Sequence, residues 1–71
     1  MAMTELVFLV EHDVDGGLVA SAVGHSIVTE ASTEPELREM VRDAVRCHFE
    51  DHERPKLIRL HFVRDEVIAA E

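Results

Sequence analysis

The fold is decided by residues 33–50, whose sequence is TEPELREMVRDAVRCHFE. Apolar side chains recur here at the three- and four-residue spacing of one helical face, which predicts an amphipathic α-helix. The members of this stripe are Leu37, Met40, Val41, Ala44, Val45 and His48. Thr33 and Glu36 have the spacing of a capping box, so the helix is expected to begin at Thr33. The rest of the chain must supply the surface against which this apolar stripe packs.

The segment before the helix has the pattern of a β-hairpin. Residues 4–12 are rich in Val, Leu and Phe and are apolar on both alternating sets, which predicts a central strand. Asp15-Gly16 is a strong signal for a tight turn, so residues 18–23 are predicted to return as a second strand. The pattern leaves open which face of this second strand is buried.

Two further strands complete the predicted architecture. Gly24 interrupts the second strand and precedes a short third strand at residues 26–30. Pro55 prevents the helix from continuing, and residues 56–63 alternate as a half-buried fourth strand does. The sequence therefore predicts one small α+β domain over residues 1–71, in the order β-β-β-α-β. Its sheet is expected to be dominated by antiparallel pairs, with the single helix on one face.

Size and composition exclude several classes of protein. A chain of 71 residues builds only a small core, worth about 3–5 kcal/mol. The chain contains one cysteine, so no internal disulfide forms, which is typical of the reducing cytoplasm where we expect the protein. No apolar run approaches the roughly 20 residues that a bilayer requires. The net charge of −8 argues against direct nucleic-acid binding, which needs a basic surface.

The charges are distributed unevenly along the chain. All seven basic residues follow position 37, whereas the first 37 residues contain only acidic charges. This segregation predicts an acidic surface that steers a basic protein partner toward it. The expected contacts are Glu5, Glu11, Asp13 and Asp15. The alternative is that these carboxylates only keep a small oligomer soluble.

Apolar positions without an evident partner predict self-association. The second apolar set of the first strand, Val7 and Leu9, needs a covering layer that a single helix cannot provide on both sides of a sheet. Val67 and Ile68 form an apolar tail that is expected to dock on this chain or on a neighbouring one. We therefore expect a homo-oligomer, a dimer or larger.

No motif in the sequence specifies a reaction. His48 and His52 are four residues apart and are the candidate metal ligands, but His48 lies on the apolar stripe, so no metal site is expected. Acidic residues in a hairpin usually serve the turn itself rather than catalysis. We expect no catalytic residue and no cofactor.

The order of elements resembles the N-terminal domain of HicB-like antitoxins. The resemblance extends over residues 6–63 and rests on the acidic Asp15-Gly16-Gly17 hairpin, Gly24 and the Thr33 to Glu36 helix start. It implies a small sheet with one helix, related to the ribonuclease H architecture without its catalytic residues. It also implies direct binding of a small, basic, RNA-cleaving HicA toxin.

This chain departs from the family pattern in two ways. The Pro-x-x-Pro-Gly-like stretch of the family is replaced by AVGHS at residues 22–26, which bears on toxin contact through this segment. No C-terminal DNA-binding domain is recognised, so operator binding is not expected. Short chains with endings similar to residues 54–64 also carry the name of the beta subunit of a branched-chain 2-oxo acid dehydrogenase, although no site for thiamine diphosphate is evident.

Three functional hypotheses follow from the sequence. The first is a non-enzymatic, antitoxin-like module that binds a small basic protein and self-associates. The second is an accessory or regulatory subunit of a metabolic enzyme, and the third is a small metal- or ligand-binding protein that uses the histidines.

Overall fold

Residues 4–71 are described by a computed structural model, in which the strands and the helix follow the predicted order β-β-β-α-β. The elements are β1 (Glu5–His12), β2 (Leu18–Ala22), β3 (Val28–Ala31), α1 (Glu34–His48) and β4 (Leu57–Phe62), with a 3₁₀ turn at Asp51–Glu53. The predicted α+β class is confirmed. Only the 3₁₀ turn, within the predicted polar connector, was not expected.

The four strands form one mixed sheet in the order β3-β2-β1-β4. β1 pairs antiparallel with β2, and β2 pairs antiparallel with β3. β4 pairs parallel with β1, because α1 carries the chain back across the sheet before β4 begins. β1 is therefore central, as predicted, while β3 and β4 form the two edges of the sheet.

Two glycines occupy turns that require a left-handed backbone. Gly16 has φ of 88° in the hairpin between β1 and β2, where its N–H donates to the Asp13 carbonyl at 3.0 Å. Gly24 has φ of 83° in the connection from β2 to β3. A side chain at either position would be strained, because residues with a Cβ rarely adopt this conformation. These glycines fix where the chain reverses.

Side chains form hydrogen bonds with backbone groups at both ends of α1. The Thr33 hydroxyl accepts a hydrogen bond from the Glu36 N–H at 3.3 Å, as the capping box predicts. The Glu36 carboxylate accepts from the N–H of Ser32 at 2.9 Å rather than from that of Thr33. At the other end, the Arg54 guanidinium donates to the Arg46 carbonyl at 3.1 Å.

The core lies between α1 and one face of the sheet. Leu6, Phe8 and Val10 of β1 point toward the helix and are almost completely buried. The inward side chains of β2 are Leu18 and Ala20, which answers the question that the sequence left open.

The buried stripe of α1 is narrower than its apolar pattern. Leu37, Val41 and Val45 are buried, whereas Met40 lies on the flank and is 44% exposed. His48 is exposed because it is the last helical residue. Within residues 4–71, no helix is both long enough and apolar enough to cross a membrane.

Candidate functional site

The side of the sheet opposite α1 is left uncovered by the described part of the chain. Side chains alternate along a strand, so the inward direction of Phe8 places Val7 and Leu9 on this outer side. The strand register places further residues on it, and we call the set the open face: Glu5, Val7, Leu9, Glu11, Val19, Ser21, Val28, Glu30, Leu57, Arg59 and His61.

Exposed apolar side chains lie on three strands of the open face. Val28 on β3 is 65% exposed, Leu9 on β1 is 37% exposed, and Leu57 on β4 is 58% exposed. Ser21 of β2 lies between Val28 and Leu9 in the register, so apolar and small side chains are continuous across β3, β2 and β1. Leu57 lies apart from this row, because its register partner is Glu5, whereas the β4 partner of Leu9 is His61. Exposed apolar side chains that form a contiguous patch mark interaction surfaces more often than scattered ones do.

The predicted apolar tail does not pack on its own domain. Val67 is 95% exposed and Ile68 is 77% exposed, in a segment without regular secondary structure after β4. The tail was predicted to dock either on its own chain or on a neighbouring chain. In this structure it does not dock on its own chain. The prediction that these residues contact another chain stays a prediction.

Three of the four predicted partner-binding carboxylates lie together at the hairpin end of the sheet. Glu11, Asp13 and Asp15 are exposed, and Asp13 also serves the turn, since its Oδ1 accepts from the Val14 N–H at 2.8 Å. Glu30 joins this acidic end, because Glu11 and Glu30 are both register partners of Val19 on the open face.

The acidic end contains a shallow depression of about 300 Å³. Its lining includes the carboxylates of Asp13, Glu30 and Glu36. A depression lined by carboxylates fits the side chain of a lysine or arginine better than an anion or an apolar group. Glu30 and Glu36 are not among the residues predicted for this site, because contacts between separate elements bring them to it: Glu30 by the register of β3 on β2, and Glu36 by the position of the start of α1.

Glu5 is separated from the other three predicted carboxylates. It lies six residues before Glu11 on β1, about 20 Å away along an extended strand, and pairs with Arg59 of β4. The hydrogen bond from Arg59, reinforced by its charge, lowers the pKa of the Glu5 carboxyl in spite of partial desolvation. Because Arg59 offsets its charge, Glu5 contributes less to an acidic surface than the sequence suggested.

The two candidate metal ligands lie in different surroundings. The ring of His48 packs edge-on against Phe49, at 4.8 Å between centroids, and against His25 at 6.0 Å. His52 is exposed beside Glu50 and Glu53, and the three potential ligand atoms lie within 4.8 Å of one another. Exposed carboxylates of this kind are common without a bound ion, so the expectation of no metal site is unchanged.

A second depression, with basic residues at its rim, lies between α1 and β4. It has a volume of about 390 Å³, and five of the chain's seven basic residues line it. These are Arg38, Arg42, Arg46, Arg54 and Lys56, and we call the depression the basic groove. This groove was not predicted from the sequence, although the four-residue spacing of the three helical arginines indicates one basic face.

Comparison with known proteins identifies two relatives with the same description. A UPF0150 protein of Archaeoglobus fulgidus is 60% identical over 52 residues, which cover 73% of this chain and 77% of the relative. A UPF0150 protein of Thermotoga maritima is 43% identical over 65 residues, which cover 92% of this chain and 91% of the relative. No protein-family model matches the chain, and no solved structure matches it either.

Proposed function

The chain belongs to the UPF0150 family, and we propose that it is a non-enzymatic, antitoxin-like module that self-associates and binds a small basic protein. The observation that carries this proposal is the open face, where Leu9 is 37% exposed and Val28 is 65% exposed on the uncovered side of the sheet. Burying such side chains against a second protein gains about 25 cal/mol per Å² of apolar surface.

The shape of the open face favours binding over catalysis. Catalytic groups work in enclosed pockets that exclude water and shift pKa values. The open face is instead a broad sheet surface whose polar members, such as Glu11 and Glu30, are exposed. Surfaces of this kind contact other proteins through an apolar centre surrounded by polar residues.

The acidic end supports a basic partner. Glu11 and Glu30 lie on the same open face as Leu9, so a partner that covers the apolar side chains also meets the carboxylates. Complementary charge raises the association rate and disfavours acidic competitors. The resemblance to HicB-like antitoxins points in the same direction, because the toxin of that family is small and basic.

The proposal is tested by capturing the partner from native cells and measuring its binding to two matched variants. Leu9→Asp places a charge on the open face, whereas Val14→Asp places the same charge at a hairpin position that is 97% exposed. We expect Leu9→Asp to weaken binding about 100-fold, as the loss of a central interface contact does. Val14→Asp should bind at least as tightly as the wild type, because it adds a carboxylate between Asp13 and Asp15 at the acidic end.

Two further results complete this test. Circular dichroism should show that both variants keep the helix and the sheet, since neither position belongs to the core. Equal binding by Leu9→Asp and the wild type would contradict the assignment of the open face as the binding surface. Conversion of substrate by the isolated protein in an activity screen would contradict its non-enzymatic character.

A further inference from the structure

The basic groove exists because α1 lies toward one side of the sheet. The helix packs more extensively on β3 and β2 than on β4. The inward side chains of β4, Ile58 and Leu60, are therefore only half-buried. Together with Val41 and Val45 they give the groove an apolar floor.

Five cationic side chains lie along the rim of the groove, and four of them, all except Lys56, pair with a nearby carboxylate of the chain. Arg42 and Arg46 each pair with an acidic residue of their own helix, Arg42 with Glu39 at 2.6 Å and Arg46 with Asp43 at 3.0 Å. Lys56 takes part in none of the ion pairs found within residues 4–71. A ligand that fits this groove has an apolar centre and carries carboxylates.

The segment after β4 has this chemistry. Residues 65–71 read DEVIAAE, in which three carboxylates flank four apolar or small residues. The segment projects from the domain, because the molecule measures 54 × 21 × 18 Å, whereas an eight-residue strand such as β1 spans only about 27 Å. Val67 and Ile68 are exposed along it. We call residues 65–71 the acidic tail.

We propose that the basic groove binds the acidic tail of a second copy of this chain. The seven tail residues span about 23 Å when extended, and the six residues of β4 span about 20 Å, so the lengths match. In the sheet formed by the described residues 4–71, β4 is an edge strand, and the outer backbone groups of an edge strand can pair with an added strand. This proposal rests on the self-association included in the proposed function. It specifies which segment of one chain contacts which surface of the other.

The direction of the chain favours a second copy over the same molecule. The Val63 N–H donates to the Val10 carbonyl at 2.8 Å, so the chain continues in the direction of β4 beyond its end. Val67 and Ile68 stay exposed beyond this point, so the chain does not fold back onto its own groove. The acidic tail therefore leads away from its own groove.

Exchanging the charges of the groove and the tail tests this docking. The groove variant is Arg42→Glu with Arg46→Glu, and the tail variant is Asp65→Lys with Glu66→Lys. Each alone should raise the dimer dissociation constant about tenfold, as repulsion across an interface does, and the combination should restore most of the wild-type affinity. Sedimentation equilibrium measures all three.

A control variant and a trapping experiment complete the design. The control variant is Glu50→Lys with Glu53→Lys. It changes the charge by the same amount as the tail variant, but at positions that belong neither to the groove nor to the tail, so the dissociation constant should stay unchanged. In a Cys47→Ser background, Arg42→Cys with Ile68→Cys should form disulfides between two chains on oxidation. Disulfides that form only within one chain would overturn the proposal.

The remaining outcomes separate this docking from the proposed function. If Leu9→Asp prevents association while the groove and tail variants associate normally, the docking is wrong and self-association through the open face stands. A wild-type protein that stays monomeric overturns both the docking and the self-association. Loss of association in the groove and tail variants without recovery in their combination also overturns the docking.

Discussion

Apolar side chains on the two faces of β1 differ in burial. Leu6, Phe8 and Val10 are between 0% and 3% exposed under α1, while Leu9 on the other face is 37% exposed. The strand, its register and its neighbours are the same for both sets, so the difference comes only from the position of the helix. Apolar composition alone therefore does not distinguish a side chain that stabilises the fold from one that is available to a partner.

The largest expected effect is the contrast between Phe8→Ala and Leu9→Ala. Phe8 is completely buried, and its truncation should cost about 3–5 kcal/mol, which is as much as a core of this size provides. Leu9→Ala should leave the monomer folded, because its side chain already contacts solvent. Urea or thermal unfolding followed by circular dichroism measures both. Similar losses of stability would show that the two faces contribute equally to the fold.

The second largest effect is expected on the rate of association with a basic partner, where the acidic end should matter more than Glu5. Replacing Glu11, Asp13 and Asp15 by their amides should lower the association rate with a basic partner about tenfold at low salt. Glu5→Gln should change that rate less, because Arg59 already offsets the charge of Glu5. Stopped-flow measurements at several salt concentrations compare the two. A larger effect from Glu5→Gln would place the partner at the opposite end of β1.

A smaller effect is expected from the pH dependence of the pair formed by Glu5 and Arg59. The pKa of Glu5 is lowered in the folded protein, mainly by the hydrogen bond from Arg59. The pair should therefore stabilise the fold above the ordinary carboxyl value of 4.5, and this contribution should be lost as the pH falls through the lowered pKa. In melting curves, the wild type and Glu5→Gln should differ slightly at neutral pH and converge in acid. A difference that grows in acid would contradict this assignment.

No effect is expected from metal removal. His52, Glu50 and Glu53 are close together but fully exposed, and a structural metal in so small a domain would supply a large share of its folding free energy. The melting temperature should be the same with and without EDTA. A clear fall in EDTA would restore the hypothesis of a histidine-based metal site.

Local signals predicted the elements of the fold well. Thr33 and Glu36 lie at the helix start with the capping contact in place, and Gly16 lies in the hairpin with the expected positive φ. Each of these signals depends on residues close together in the sequence. The order of strands and helix along the chain follows from these signals, because each signal has a fixed place in the sequence.

The candidate sites were less predictable, because they depend on contacts between distant segments. The pairing of Glu5 with Arg59 joins residues 54 positions apart, and the sequence gives no register for the parallel strands that bring them together. Glu30 reaches the acidic end through its pairing with β2. The basic groove depends on where α1 lies across the sheet, which helical periodicity alone does not specify.

The most direct test of the open face as an interface is sedimentation equilibrium of the wild type, Leu9→Asp and Val14→Asp. We expect the wild type and Val14→Asp to form dimers or larger species at micromolar concentration, while folded Leu9→Asp dissociates toward the monomer. A wild-type protein that remains strictly monomeric and melts cooperatively would contradict the account.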